Sequence, residues 1–188
     1  MNQRNGVQKH TIIALVEDRP GVLHRIASKW RQRGFNIESL AVGHSETPGL
    51  SRMTFVVDAR TDADQVVKQV DKLIEVVSIR DISAESMISR EMAMVKVRVD
   101  RSNRSDIIEL VNIFGAEIVD VALDSTIVEI TGEEDKIDSF IALLGDFEVI
   151  ELVRTGRVAM LRGSAVSHPE EHDEPERYQG FEPPYSSK

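Results

Sequence analysis

The feature that most constrains this chain is a repeat of element order rather than of letters. Short apolar runs and helical stretches follow one another as βαββαβ, and the same order then occurs again. "TIIALV" (11–16) is apolar and β-branched, as a buried strand is. Val22, Leu23, Ile26, Ala27 and Trp30 then recur at helical spacing, and Gly34 supplies a stop. "NIESLAVG" (36–43) and "RMTFVVD" (52–58) read as strands joined by the turn-rich "HSETPGLS". A second helix follows the cap signal Thr61-Asp62, with Ala63, Val66, Val67, Val70, Leu73 and Ile74 on its inner face. "VVSIRDIS" (76–83) is the fourth strand.

The second round begins at "AMVKVRV" (93–99). Ile107, Ile108, Val111 and Phe114 share one helical face that ends at Gly115. "EIVDVAL" and "TIVEIT" form a hairpin across Asp124-Ser125. Ile137, Phe140, Ile141 and Leu144 mark the next helix, stopped by Gly145, and "EVIELVR" is the last strand. Two copies of this order predict an α+β chain of two tandem ferredoxin-like βαββαβ modules, residues 10–85 and 90–162. Right-handed crossovers put both helices of a module on one face of a four-stranded antiparallel sheet. Strands apolar on both sides, such as "TIIALV" and "TIVEIT", then require cover on the other face, from a helix layer or another subunit.

Composition removes several function classes. A net charge of −9 lacks the basic field of a general nucleic-acid binder. An RNA-recognition module shares this element order, but its central strands need exposed aromatics, and Phe55 is the single one on offer. With no cysteine there are no disulfides, thiolate metal sites or Cys nucleophiles. His10, His24 and His44 are scattered over a strand edge, a helix face and a hairpin loop, and read as surface or capping residues. No nucleophile turn, Gly-rich phosphate loop or metal-spaced His pair is present, so neither catalytic nor metal residues are assigned. No apolar run approaches the ~20 residues of a membrane helix, and a soluble, cytoplasmic protein is expected. Residues 163–188 hold six acids, two bases and four prolines, and read as a disordered acidic tail. His168 and His172 lie there among acids, but a flexible tail offers a metal no preorganised geometry.

The informative motif is "EDRPG" (17–21), between the first strand and the first helix. A helix start presents unpaired N–H groups and partial positive charge, suited to a carboxylate. Pro20 loses nothing by lacking an N–H there, and Gly21 lets another group approach the backbone. Asp18 either caps the helix or meets an ammonium group. The motif therefore reads in two ways, as a plain strand–helix turn or as a receptor for an α-amino acid.

"VEDRPGVLHRIASKWRQRGFNIESLAVG", followed by "PGLSRMTFVV", closely resembles the small, regulatory subunit of acetohydroxyacid (acetolactate) synthase. The resemblance extends over residues 10–162 and includes "REMAMVKV", "GAEIVDV", "TGEEDKIDSFIALL" and "VRTGRVAMLRG". It implies an N-terminal ACT domain and an ACT-like C-terminal domain. The implied partner is a large catalytic subunit that carries thiamine diphosphate, FAD and magnesium. The implied role is activation of that subunit together with feedback inhibition, usually by valine. The family's effector site lies where two ACT domains pair as a homodimer. Carried over, it implicates Asp18, Gly21 and Val22 on the strand–helix loop, with Asn36 and Ile37 arriving from the partner copy. In that assignment Ile37 meets the isopropyl group. Asp18 stands where the family often has Asn, a departure that bears on effector affinity and pH dependence. The alternative is a free-standing tandem ACT sensor that regulates another enzyme or transcription.

Overall fold

The computed structural model describes residues 9–58 and 63–165. The first module contains β1 (Lys9–Glu17), α1 (Val22–Gln32), β2 (Asn36–His44), β3 (Leu50–Asp58), α2 (Ala63–Val70) and β4 (Val76–Asp81). Its sheet is antiparallel with the order β2-β3-β1-β4. The second contains β5 (Met87–Arg98), α3 (Arg104–Phe114), β6 (Glu117–Val121), β7 (Ser125–Gly132), α4 (Glu134–Leu144) and β8 (Val149–Arg154). Its strands follow the same path, β6-β7-β5-β8. A last strand, β9 (Val158–Leu161), is absent from the sequence expectation. The expected cap Thr61-Asp62 and the tail histidines lie outside the described residues.

Each core forms where alternate strand residues meet the i, i+4 face of a helix. In the first module Ile12, Ala14 and Val16 of β1 and Met53, Phe55 and Val57 of β3 pack under Val22, Ile26 and Trp30 of α1. Trp30 meets Phe55 edge to face, with ring centroids 4.2 Å apart. In the second, Ala93, Val95 and Val97 lie under Ile107, Val111, Ile137, Phe140 and Leu144. Burial of each of the larger side chains contributes about 1.5–3 kcal/mol.

Three expectations are corrected. Leu23 and Ile108 are 39% and 43% exposed, because the buried arc of an eleven-residue helix is narrower than the run of apolar residues it carries. Helix α2 ends at Val70, so Leu73 reaches the core from a turn and Ile74 is left 66% exposed. Among the described residues, those up to 88 and those from 159 onward form one compact unit, and 89–158 form the other. Residues 159–161 thus pack within the first unit.

That return explains why "TIIALV" is apolar on both sides. Ile13 points away from the helices and packs with Ile82, Ala159 and Leu161. Leu15, Thr54 and Val56 are buried as well. The Arg52 guanidinium donates to the Ala159 carbonyl at 3.2 Å, and the Arg162 N–H to the Ser86 carbonyl at 3.0 Å. Burial holds the Arg52 pKa below its usual value, with Glu46 opposing. Part of the cover expected from another subunit is therefore supplied by the chain itself.

Candidate functional site

The Asp-Arg-Pro-Gly connection makes its sharp turn through Gly21, whose φ of 93° lies in the left-handed region that favours glycine. Gly21 is the N-cap of α1, no side chain among the described residues bonds the helix start, and the first turn contains no acid. The first intrahelical bond runs from the Arg25 N–H to the Gly21 carbonyl at 3.0 Å. The earlier N–H groups, including that of Val22, precede that bond, as at any helix start. The Val22 side chain itself is buried in the core, so only its backbone is placed to meet a ligand.

Asp18 does not cap the helix. Its N–H donates to the Gly49 carbonyl at 2.8 Å, which fastens the turn to the β2–β3 hairpin. Its carboxylate lies 3.2 Å from His44 Nδ1, with both side chains largely in solvent. His44, at the end of β2, is a neighbour that sequence reasoning did not attach to this site.

Asn36 and Ile37 sit elsewhere. Strand β2 is an edge, and its register pairs Asn36 with Asp58 and His44 with Ser51. Asp58 in turn faces Lys9, and Leu50 faces Glu17. Asn36 is thus at the start of β1, while Gly21 follows its end. Eight residues of strand at about 3.3 Å each put the two groups on the order of 26 Å apart along the sheet. Asn36 is exposed, whereas Ile37 is half-buried and packs against the core. Within one copy, Asp18, Gly21 and Val22 come together and Asn36 and Ile37 do not join them.

Sequence reasoning also missed the charges behind the turn. Glu75, 4% exposed, precedes β4 and accepts the Glu17 N–H on its backbone carbonyl at 2.9 Å. Its carboxylate pairs with Arg19 and Arg25. No local spacing relates residue 75 to residues 19 and 25; the juxtaposition comes from β4 lying beside β1.

A second cluster lines a cavity of about 370 Å³ with Lys9, His10, Asp64, Asp81, Ser83 and Ala84. His10 Nδ1 lies 2.5 Å from Asp81 Oδ2. The Ser83 hydroxyl donates to the other Asp81 oxygen and accepts the Thr11 N–H at 2.7 Å. Nucleophilic catalysis needs the base on the hydroxyl and the carboxylate behind the base. Here the carboxylate stands between histidine and serine, so the hydroxyl proton has no imidazole to take it. Among the described residues no three His, Asp or Glu side chains gather as a metal site, and no helix is long and apolar enough to cross a membrane.

Residues 12–78 match the model of the AHAS small subunit-like ACT domain, and residues 90–163 match that of the small subunit of acetolactate synthase. A probable acetolactate synthase small subunit from Archaeoglobus fulgidus is 51% identical over 157 residues, covering 83% of this chain and 98% of the relative. The acetolactate synthase small subunit of Bacillus subtilis is 42% identical, covering 83% and 92%. The crystal structure of the acetolactate synthase small subunit from Thermotoga maritima superposes with a TM-score of 0.77 at 42% identity, covering 85% of this chain and all of that one.

Proposed function

The chain belongs to the acetolactate synthase small-subunit family, and we propose that it raises the activity of a separate catalytic subunit and makes it sensitive to valine. Thiamine diphosphate, FAD and magnesium then reside on the catalytic subunit, and this chain contributes no group to the chemistry. Activation requires preferential binding to the active state, typically about 1–3 kcal/mol.

The effector assignment is carried by the bare start of α1, where neither a capping side chain nor a first-turn acid competes for the N–H groups. The valine carboxylate is met there. The opposite location of Asn36 supports a site completed by a second copy. In the described sheet β2 is an outer strand, and antiparallel pairing of two β2 edges about a two-fold axis at Leu40, the middle of the strand, would set Asn36 of one copy beside His44 of the other. His44 already touches Asp18, so the pairing also brings Asn36 toward the Gly21 turn. Asn36 and Asp18 offer oxygens to the ammonium group. Ile37, half-buried in its own core, presents only an edge to the isopropyl group.

Feedback affinities between micromolar and millimolar correspond to about −8 to −4 kcal/mol, which a molecule of valine's size reaches only when both its charges are met. Reconstitution with the cognate catalytic subunit is the test. Turnover rises on adding the chain and falls again with valine. An unchanged rate at saturating chain defeats the activating role, and an activated enzyme indifferent to valine defeats the effector assignment.

A further inference from the structure

Two acids and two arginines meet at the Asp-Arg-Pro-Gly connection, and one of the acids is held out of water. The Oε1 atom of Glu75 lies 2.5 Å from Arg25 Nη1 and 3.2 Å from Arg19 Nη2. Arg19 also reaches Glu17 at 2.7 Å through Nε. The arginine side chains are more than half exposed, whereas that of Glu75 is 6% exposed. Its second oxygen, Oε2, is buried and makes no hydrogen bond among the described residues.

A buried carboxylate with one oxygen unsatisfied is costly. For stability alone, an apolar side chain of similar volume serves as well or better. What the charge adds is geometry, because its two partners bracket Gly21, one two residues before it and the other four after it. The Glu75 carbonyl meanwhile accepts the Glu17 N–H. One residue thus fixes the strand end by its backbone, and the turn and helix start by its side chain. It does so from behind, through guanidinium groups, leaving the α1 N–H groups unoccupied.

We propose that Glu75 is the positioning residue of the effector site, holding the Asp-Arg-Pro-Gly turn through Arg19 and Arg25 so that the open N–H groups of α1 stay aligned for a carboxylate it never touches. This rests on the effector assignment given above. A purely electrostatic role predicts the opposite result on mutation. Neutralising Glu75 frees two guanidinium charges near the helix start, which by itself tightens binding of an anion. Loss of alignment weakens it.

The test compares the full chain with Glu75→Gln. The amides of Asp18, Arg19 and Arg25, bonded to Gly49, Glu17 and Gly21, exchange about tenfold faster in the variant, while those of Val95 and Val128 in the other unit hold their rates. Valine affinity, read by calorimetry, falls about tenfold. Unchanged exchange at those three amides, or tighter valine binding, overturns the proposal. A triple variant, Arg19→Gln, Arg25→Gln and Glu75→Met, removes every charge of the bracket and covers the case in which Glu75→Gln fails to fold. It retains a melting temperature near the parent's yet shows the same local exchange and the same weakened binding; parental values for both overturn the proposal. Should the parent chain itself not bind valine, the effector assignment falls and takes the positioning role with it, while the exchange comparison still decides whether Glu75 holds the turn.

Discussion

Gly21 carries two requirements that substitutions separate. A Cβ at this position meets no atom within 4 Å, so the space is open, but a φ of 93° strains any L residue. Gly21→Ala therefore costs about 1–2 kcal/mol of stability with no new charge. Gly21→Asp carries similar strain and adds a carboxylate at the helix start, where the valine carboxylate is proposed to sit. Calorimetry on the two variants finds valine binding weakened far more in Gly21→Asp than in Gly21→Ala; equal loss in both assigns glycine to the turn alone. Asn36→Ala removes an exposed polar group, so its melting temperature matches the parent's while valine binding weakens by about 0.5–1.5 kcal/mol. The turn itself was legible in the sequence, because Pro and Gly encode backbone angles locally. The contacts of Asp18 with His44 and of Glu75 with Arg19 and Arg25 were not, since they arise from strand pairing across dozens of residues.

Among elements, β1, α1, β3 and their counterparts were readable because alternation and i, i+4 spacing survive in a half-buried layer. Strand β9 was not: four residues carry too little periodicity, and its partners are Ile13 and Ile82, far away in sequence. Its alternation becomes meaningful only once those partners are known, with Ala159 and Leu161 buried and Met160 65% exposed. Leu161→Ala consequently lowers stability by about 2–3 kcal/mol, whereas Met160→Ala stays within about 0.5 kcal/mol, both read by thermal unfolding. Truncation after Gly163 keeps β9 and leaves the melting temperature nearly unchanged; truncation after Arg157 removes β9 and lowers it. The loop entering α3 offers a pH handle. Bonds from the Ser102 hydroxyl and from the N–H groups of Ser102 and Asn103 hold the Asp100 carboxyl below its ordinary 3.8. A carboxyl with a depressed folded pKa stabilises the native state above the ordinary value, and that contribution disappears as pH falls through the folded one. The melting temperature of Asp100→Asn hence lies below the parent's at neutral pH, and the gap closes in acid below 3.8.

At the scale of the whole molecule, the separation of Gly21 from Asn36 along one sheet makes a prediction about copies. If each effector site takes Gly21 from one chain and Asn36 from its partner, a two-fold dimer has two such sites. A Gly21→Asp homodimer then has both sites spoiled, and so does an Asn36→Ala homodimer. A mixed dimer differs. One of its sites receives both defects, while the other joins the native Gly21 turn of the Asn36→Ala chain to the native Asn36 of the Gly21→Asp chain. Random reassortment makes half of the dimers mixed, so about a quarter of all sites are restored. Mixing the two variants in equal amounts, with time for exchange, recovers that fraction of sites at parental valine affinity in calorimetry. A site built within one chain recovers none, whatever the mixing ratio, because every chain in the mixture carries one of the two defects. Diluting the parent chain probes the same dependence from the other side, since a shared site loses affinity as the dimer dissociates.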